Sequence, residues 1–369
     1  MLTTTVPFND LARSTAAVRA EVDAALARVL NSGWFVLGEE GEAFEREFAA
    51  FCGAAHAVGV GSGTDAIELA LRALDLEAGD EVVTQANTCV PTVSAIERAG
   101  ASAVLCDVEP AAGTMDPDSL RRATGPRTRA VVPVHLYGQC ADVEAIEEVV
   151  TKHDVEIVED CAQAHGAMLR GRHAGTIGRL GCYSFYPTKN LGALGDGGVV
   201  ITRDGALAER LRRLRTYGQT DRYLHIEAGV NSRLDEVQAA VLRAKLPHVG
   251  AWNARRNEIA TAYEEALRET PVRPLERLEG RTHVFHLFVA VTPDRQAFQD
   301  HLLSQGIQTL IHYPRPVHRQ PAYERLGKGP VPLANAEAFC AQVVSLPIYP
   351  ELRDDEVDRV AAALRTFAA

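Results

Sequence analysis

The sequence has few of the features that mark several large classes of protein. Its seven cysteines are odd in number and include no C-x-x-C pair, so they predict reduced thiols and not a disulfide framework or a zinc site. No run of about 18 apolar residues occurs. The N-terminus also lacks the cationic and apolar regions of a signal peptide. We therefore expect a cytoplasmic protein with no membrane association.

Positive charge is also scarce. The net charge of −11 repels phosphate backbones, which argues against nucleic acid as a partner. Lysine is rarer still, because only Lys152, Lys189, Lys245 and Lys328 occur among the 38 basic residues. Arginine does not form imines, so a lysine in such a sequence is a candidate for chemistry that arginine cannot perform.

Short apolar segments alternate with helical segments through the first part of the chain. Strands connected by helices of this length require right-handed crossovers, so we expect an α/β fold with a mostly parallel sheet. Two later strands follow each other with no helix between them. The predicted strands are 56–60, 81–84, 103–106, 130–134, 155–158, 182–186 and 198–202.

The pattern changes after a long helix predicted at 252–267. The segment Thr270-Pro-Val-Arg-Pro274 ends that helix, and a strand at 308–312 and a final helix at 355–367 are predicted beyond it. We therefore expect a large α/β domain with the N-terminal segment in residues 1–250 and a smaller α+β domain in residues 251–369.

The segment Gly61-Ser-Gly-Thr-Asp-Ala66 lies where a predicted strand gives way to a helix. Glycines let the backbone approach an anion, and a helix N-terminus favours phosphate. The segment also fits the dinucleotide fingerprint G-x-G-x-x-A, but such a site needs an acidic residue at the end of the next strand, where Gln85-Ala-Asn87 stands. A capping box of Ser62 with Asp65 is a third interpretation.

Two further residues extend this pattern. Asp160 ends an apolar strand, at the sheet edge where α/β proteins bind ligands, although a turn cap would also explain it. Lys189 lies in a turn after Ser184, where a solvated charge is the alternative. Pyridoxal 5′-phosphate (PLP) needs this combination: a phosphate site, a carboxylate at its pyridine nitrogen and a lysine for a Schiff base.

These motifs together resemble the DegT/StrS family of PLP-dependent, fold-type I nucleotide-sugar aminotransferases. They occur in the family's order over nearly the whole chain. The resemblance implies a large domain with a mostly parallel seven-stranded sheet and a smaller C-terminal α+β domain. The segments that carry it are Gly61-Ser-Gly-Thr-Asp-Ala66, Val158-Glu-Asp-Cys-Ala-Gln-Ala-His165, Ser184-Phe-Tyr-Pro-Thr-Lys-Asn-Leu-Gly192, Gly197-Gly198, Gly229-Val-Asn-Ser-Arg-Leu-Asp-Glu-Val-Gln-Ala-Ala240 and His312-Tyr-Pro-Arg-Pro-Val-His-Arg-Gln-Pro-Ala-Tyr323.

By the resemblance, Lys189 would bind PLP as a Schiff base and move protons as general acid and base. Asp160 would keep the pyridine nitrogen protonated, and Gln163 would contact the ring or its 3′-oxygen. Cys89 aligns with a position where the family usually stacks an aromatic residue on the ring. The phosphate ligands would be Gly63, Thr64 and Ser184, together with Asn231 of the partner subunit.

Asn231 has a second interpretation, because Asn231-Ser-Arg-Leu-Asp235 also fits a capping box at a helix start. If Asn231 binds phosphate across the subunit boundary, the resemblance implies a homodimer with composite active sites. His283 and His286 are three apart on a predicted strand and point to opposite faces, so no metal site is expected.

The resemblance also implies a reaction. Family members with histidine in place of the lysine are dehydrases, so Lys189 favours transamination from L-glutamate, through pyridoxamine phosphate, to a nucleotide-linked keto sugar. The expected acceptor is a dTDP-linked 3-keto-6-deoxyhexose, with a 4-keto sugar as the alternative, and the product would be a deoxyamino sugar for an antibiotic or a surface glycan. A dehydrogenase and a regulatory protein of the same fold are the competing hypotheses. Candidate sugar contacts are Trp34, Tyr183, Tyr223, His312, Tyr313 and His318.

Overall fold

The computed structural model describes residues 5–368. Most of its longer strands are buried along nearly their whole length, as parallel strands covered by helices on both faces must be. The strands are β1 (His56–Val60), β2 (Glu81–Gln85), β3 (Ser102–Cys106), β4 (Thr128–Val132), β5 (Glu156–Asp160), β6 (Met168–Leu169), β7 (Arg172–His173), β8 (Leu180–Ser184), β9 (Gly198–Thr202), β10 (Gln219–Asp221), β11 (Leu224–His225), β12 (Arg273–Pro274), β13 (Phe288–Val291) and β14 (Val343–Leu346).

Seven of these strands form one sheet in the order β1-β9-β8-β5-β4-β2-β3. Only β9 runs antiparallel to its neighbours, because β8 and β9 are joined without a crossover helix. The predicted mostly parallel seven-stranded sheet is therefore confirmed. The ends of β5 and β8 lie side by side, with Asp160 opposite Cys182, and this pairing brings the Asp160 and Ser184 regions together.

The helices cover both faces of this sheet and build the C-terminal region. Several begin at a side chain that caps them: Ser62 accepts a hydrogen bond from the Asp65 N–H at 3.1 Å, and Asp116 caps a helix that starts with proline. The helices are α1 (Leu11–Ala17), α2 (Arg19–Ser32), α3 (Glu39–Cys52), α4 (Gly63–Arg72), α5 (Val90–Arg98), α6 (Pro117–Ala123), α7 (Val143–Val150), α8 (Gly205–Leu214), α9 (Glu236–Lys245), α10 (Val249–Leu267), α11 (Arg295–Ser304), α12 (Ala334–Gln342) and α13 (Asp354–Arg365). None of the helices in residues 5–368 has the length and apolarity that spanning a bilayer requires.

A second hydrophobic core lies among α10, α11, α13 and the antiparallel sheet β12-β13-β14. Val6 from the N-terminal segment is buried in this core and pairs with Ile307. The predicted division between residues 250 and 251 falls in the first turn of α10, and the domain boundary stays a prediction.

Two local predictions were wrong, and one strand was not predicted. The segment 308–312 is not a strand, because only Leu310 pairs, as an isolated bridge with Ser345 of β14, and β14 itself was not predicted. The capping box that begins at Asn231 does not exist: α9 starts at Glu236, and Asn231 is held instead in a bridge with Thr216.

Candidate active site

A cavity of about 280 Å³ opens where β5 and β8 end and α4 begins. Parallel strands place their carboxyl ends at one edge of the sheet, so residues far apart in sequence meet there. The structure brings most of the predicted cofactor residues to this cavity. Those that line it are Gly63, Thr64, Cys89, Asp160, Gln163, Ser184 and Lys189.

Asp160 is the buried acid of the cavity, with 4% of its surface exposed. Its Oδ2 accepts a hydrogen bond from the Thr92 hydroxyl at 2.8 Å, and its Oδ1 accepts one from the Ala162 N–H at 3.1 Å. Burial raises the pKa of Asp160 above its ordinary value, although both donors and the Lys189 charge act the other way. A cationic partner in the cavity would therefore stabilise the carboxylate.

The opposite end of the cavity is built for an anion. The first N–H groups of a helix have no intrahelical acceptor, and α4 presents those of Gly63 and Thr64 at the cavity wall. Gly63 lies so close to Ser184 that a Cβ at residue 63 would be 2.5 Å from the Ser184 Cβ. Only glycine lets the helix start and the Ser184 hydroxyl approach one anion together.

Lys189 lies in a tight turn after β8 whose backbone is held at several points. Its N–H donates to the Tyr186 carbonyl at 2.8 Å, and a Cβ on Gly192 would be 2.3 Å from the Pro187 carbonyl oxygen. The neighbouring Asn190 amide donates to Asn253 Oδ1 and to the Val284 carbonyl, both at 2.9 Å. Burial lowers the pKa of the Lys189 amine, with Cys89 and Asp160 acting the other way.

Gln163 lines the side of the cavity and contacts Tyr313, which does not line it. The Gln163 side chain accepts a hydrogen bond from the Tyr137 N–H at 2.6 Å and donates to the Tyr313 hydroxyl at 3.2 Å. Cys89, just before α5, interacts with the same tyrosine. A thiol thus stands where an aromatic ring was expected from the family pattern, and the tyrosine comes from the C-terminal region.

His312 packs against Tyr313 and, like it, does not line the cavity. Its Nδ1 lies 2.9 Å from the Ser345 hydroxyl, and its ring stacks on Phe8 with centroids 5.7 Å apart. Burial, followed by the charge of Lys189, lowers the pKa of His312 to about 4. His312 is therefore neutral at physiological pH and can donate or accept one hydrogen bond through Nε2.

Three predicted residues lie on the surface of the single chain and not in the cavity. Trp34 and Tyr223 are 63% and 81% exposed, and Asn231 is exposed beside Thr216. Trp34 donates its indole N–H only to the Val36 carbonyl two residues on, at 2.7 Å. Their contacts with sugar or phosphate stay predictions.

Two predicted sugar contacts do not line the cavity. Tyr183 is fully buried, packs edge-on against Phe48 and donates its hydroxyl to the Ala174 carbonyl, because its position in β8 points away from the cavity. His318 is also buried, and its Nε2 lies 2.8 Å from Glu337 in a separate surface groove. The polar atom of Tyr183 is satisfied within the core, whereas the buried Nδ1 of His318 has no hydrogen-bond partner.

Several residues that line the cavity were not predicted from the sequence. Thr88 and Thr92 reach it from the start of α5, and Tyr186 and Asp196 reach it from the lysine turn and the segment before β9. In the sequence, Thr88 and Thr92 give little indication of a role in the site, because threonine near a helix start ordinarily indicates capping. Their proximity to the predicted residues depends on the order of the strands in the sheet.

Another group of possible metal ligands lies beside the cavity. His135, Glu159 and Cys161 place their ligand atoms within 4.8 Å of one another. Glu159 is already saturated, since it accepts from the N–H groups of Gly175, Ile177 and Gly178 and lies 2.8 Å from His135 Nε2. We interpret this group as a structural network.

The cavity fits PLP at three points. The buried acid without a cationic partner in hydrogen-bond contact suits a protonated pyridine nitrogen. The close approach of Gly63 to Ser184 suits a phosphate, and a lysine with a lowered pKa suits a Schiff base.

Comparisons with known proteins agree with this geometry. The model of the DegT/DnrJ/EryC1/StrS aminotransferase family matches residues 17–365. The erythromycin biosynthesis sensory transduction protein EryC1 of Saccharopolyspora erythraea is 48% identical over 98% of this chain and all of the relative. The dTDP-3-amino-3,4,6-trideoxy-alpha-D-glucose transaminase of Streptomyces venezuelae is also 48% identical, over 98% of this chain and 96% of the relative.

A solved structure is similar over the same length. The crystal structure of Streptomyces venezuelae DesV in complex with a ketimine intermediate has a TM-score of 0.95 and 48% identity, and the match covers 98% of each chain. This likeness and the family match confirm the fold-type I architecture. The chain therefore belongs to the DegT/DnrJ/EryC1/StrS aminotransferase family, whose aminotransferases depend on PLP.

Proposed function

We propose that this aminotransferase moves the amino group of L-glutamate to the keto carbon of a dTDP-linked 3-keto-6-deoxyhexose. The observation that carries transamination is the presence of Lys189, Asp160 and the Gly63 helix start around one cavity. The preference for C3 is supported by the Streptomyces venezuelae relative, whose name specifies a dTDP-3-amino sugar. The 4-keto sugar is the alternative acceptor.

Bound PLP supplies an aldehyde that forms Schiff bases and an electron-poor ring that accepts the electrons left when a carbon loses its proton. Asp160 holds a proton at the ring nitrogen, because a buried carboxylate gains most from a cation at contact distance. The helix start at Gly63 and the hydroxyl of Ser184 hold the phosphate, which fixes the position of the ring.

The Lys189 amine moves the proton in each half of the reaction. With its pKa lowered by burial, a larger fraction of the amine is neutral and able to accept a proton from the α-carbon of L-glutamate. The same nitrogen later returns a proton to the sugar carbon that receives the amino group. The turn that holds Lys189 keeps this nitrogen in place through both steps.

A second copy of the chain completes the proposed site. A run of exposed apolar side chains covers residues 34–37, and Tyr186 at the cavity and Tyr223 are also exposed, at 53% and 81%. A cluster of exposed apolar groups on a subunit is typical of an interface. We expect a homodimer in which Asn231 of the partner subunit reaches the phosphate, and sedimentation equilibrium measures this assembly.

A regulatory role is the second candidate, because one relative is named a sensory transduction protein. Lys189 argues against it, since a protein that only bound ligands would have no use for a lysine at this point. Repeated turnover with L-glutamate and a keto sugar would exclude a purely regulatory role.

The absorption spectrum of the protein with PLP tests the proposal. We expect a visible Schiff-base band that L-glutamate converts to the pyridoxamine form, and no such band in Lys189→Ala. Separate incubations with the dTDP-linked 3-keto and 4-keto sugars then identify the acceptor by the position of the new amine. Absence of the band in the wild-type protein would refute the assignments of Lys189, Asp160 and Ser184 together.

A further inference from the structure

The Asp160 carboxylate accepts a hydrogen bond from a helix that is distant from it in the sequence. Thr92, the third residue of α5, is 1% exposed and donates its hydroxyl to Asp160 Oδ2 at 2.8 Å. A threonine in the first turn of a helix commonly bonds to its own backbone or to water. Here the side chain crosses instead to the end of β5, 68 residues along the chain.

A second hydroxyl stands behind the first. Thr88 Oγ1 lies 2.9 Å from Thr92 Oγ1, and Thr88 is 3% exposed. A threonine hydroxyl has one hydrogen, and Thr92 gives its hydrogen to Asp160, so Thr88 must be the donor between the two threonines. Thr88, Thr92 and Asp160 therefore form a chain of two hydrogen bonds that ends at the carboxylate. In a buried site, each of these hydrogen bonds strengthens the other.

Asp160 depends strongly on this hydroxyl, because it has few other partners. The Ala162 N–H is its backbone donor, and no lysine or arginine in residues 5–368 forms a salt bridge with it. Thr92 is the only side chain in this part of the protein that donates a hydrogen bond to it. Without Thr92, one carboxylate oxygen would be free to turn toward the cavity or away from it.

We propose that Thr92, oriented by Thr88, is a positioning residue that holds the Asp160 carboxylate in the orientation and ionised state needed to pair with the ring nitrogen of the cofactor. The inference rests on the proposed function, because it takes Asp160 as the partner of that nitrogen. It adds two residues from α5 and the segment before it to the machinery around PLP. Although both threonines line the cavity, the proposal predicts that their effect passes through Asp160 and not through the phosphate or the lysine.

The test compares PLP with an analogue that carries C–H in place of the ring nitrogen. Thr92→Val keeps the shape of the side chain and removes the hydroxyl. We expect Thr92→Val to weaken PLP binding at least tenfold and to leave the affinity for the analogue unchanged, because the analogue has no nitrogen for Asp160 to pair with. Thr92→Ser should restore the affinity, and Thr88→Val should weaken PLP binding about threefold.

Two controls separate this role from a purely structural one. Thr84→Val removes another buried threonine hydroxyl, which donates to the Val132 carbonyl at 2.8 Å, and it should leave the PLP-to-analogue ratio unchanged. In an Asp160→Asn background, Thr92→Val should have little further effect on PLP binding. Both results would place the action of Thr92 on the carboxylate.

The possible failures are distinguishable. Equal weakening of PLP and analogue by Thr92→Val, or no weakening of either, would overturn the inference about Thr92 while leaving Asp160 in its proposed role. A wild-type protein that binds PLP no better than the analogue would instead refute the pairing of Asp160 with the ring nitrogen, and with it the proposed function.

Discussion

Glu159 and Asp160 are adjacent acids at the end of one strand, yet their surroundings are opposite. Glu159 is fully buried and accepts hydrogen bonds from three backbone N–H groups, with His135 Nε2 2.8 Å away. Asp160 has two donors and opens onto the cavity. Side chains alternate across a strand, so consecutive residues face different parts of the protein.

The difference shows in the proton affinity of the two acids. Burial raises the pKa of both, but His135 and the backbone donors outweigh it at Glu159, whose pKa is lowered. At Asp160 the donors do not compensate, and the pKa is raised. A buried carboxylate that the chain saturates is part of the fold, whereas one that the chain leaves short of partners awaits a ligand.

The largest expected effect on the free energy of unfolding comes from replacing one of these two acids, Glu159 or Asp160, by its amide. Glu159→Gln turns an N–H donor toward backbone N–H groups that need an acceptor, so we expect a loss of about 3–5 kcal/mol in the free energy of unfolding. Asp160→Asn should change that free energy in the PLP-free protein by less than about 1 kcal/mol or raise it, because it removes an uncompensated buried charge. Urea denaturation at pH 7 measures both.

Acid titration sharpens the same comparison. The pKa of Glu159 is lower in the folded state, so its contribution to stability is present above the unfolded pKa of about 4.3 and is lost as pH falls through the folded value. The difference between wild type and Glu159→Gln should therefore shrink in acid. Asp160 has the opposite sign, since its ionisation disfavours the folded, cofactor-free protein. Equal losses from both amide variants would contradict the distinction.

The next effect concerns the anion end of the cavity. In Gly63→Ala, the new methyl group would lie 2.5 Å from the Ser184 Cβ and 3.1 Å from its Cα, so the helix start or the end of β8 would have to shift. We expect PLP affinity to fall by about a hundredfold, equivalent to about 2.7 kcal/mol. Gly250→Ala in α10 is the matched control, because its Cβ meets no atom within 4 Å. Fluorescence titration with PLP decides the result, and an unaffected Gly63→Ala would refute the phosphate site.

A smaller effect, on kcat, is expected from Lys245, which contacts the turn that carries Lys189. Lys245 is 7% exposed and donates to the Gly192 carbonyl at 2.8 Å, which secures the turn that carries Lys189. Lys245→Met leaves that carbonyl without its donor, and we expect kcat to fall about tenfold with the Schiff-base band retained. Lys245→Gln keeps an N–H donor and should lose less. Similar kcat values in wild type, Lys245→Met and Lys245→Gln would show that the turn keeps its conformation without the hydrogen bond from Lys245.

The sequence predicted the parts of the site that depend on local signals. Asp160 and Gly63 stand where a strand ends or a helix begins, and this position is readable from the pattern of neighbouring residues. Thr92 could not be found this way. It lies in α5, the helix after β2, and its hydrogen bond reaches the end of β5, which is two strands from β2 in the sheet. The aromatic ring of Tyr183 suggested a sugar contact, while alternation along β8 directs it into the core.

The smallest effect on the stability of the subunit is expected from the exposed residues Trp34 and Tyr223. Trp34→Ala and Tyr223→Ala remove side chains that are 63% and 81% exposed in the single chain, so the free energy of unfolding of the monomeric subunit should change by less than about 0.5 kcal/mol. If these residues bind the nucleotide sugar, KM for the sugar rises while kcat and the Schiff-base band stay close to wild type, because such contacts are equal in the ground and transition states. Tyr186, which lines the cavity itself, is the matched aromatic control, and Tyr186→Ala should alter PLP affinity. If Trp34→Ala or Tyr223→Ala lowered PLP affinity instead, these residues would belong to the cofactor site, and the distinction between the exposed surface and the cavity would not hold.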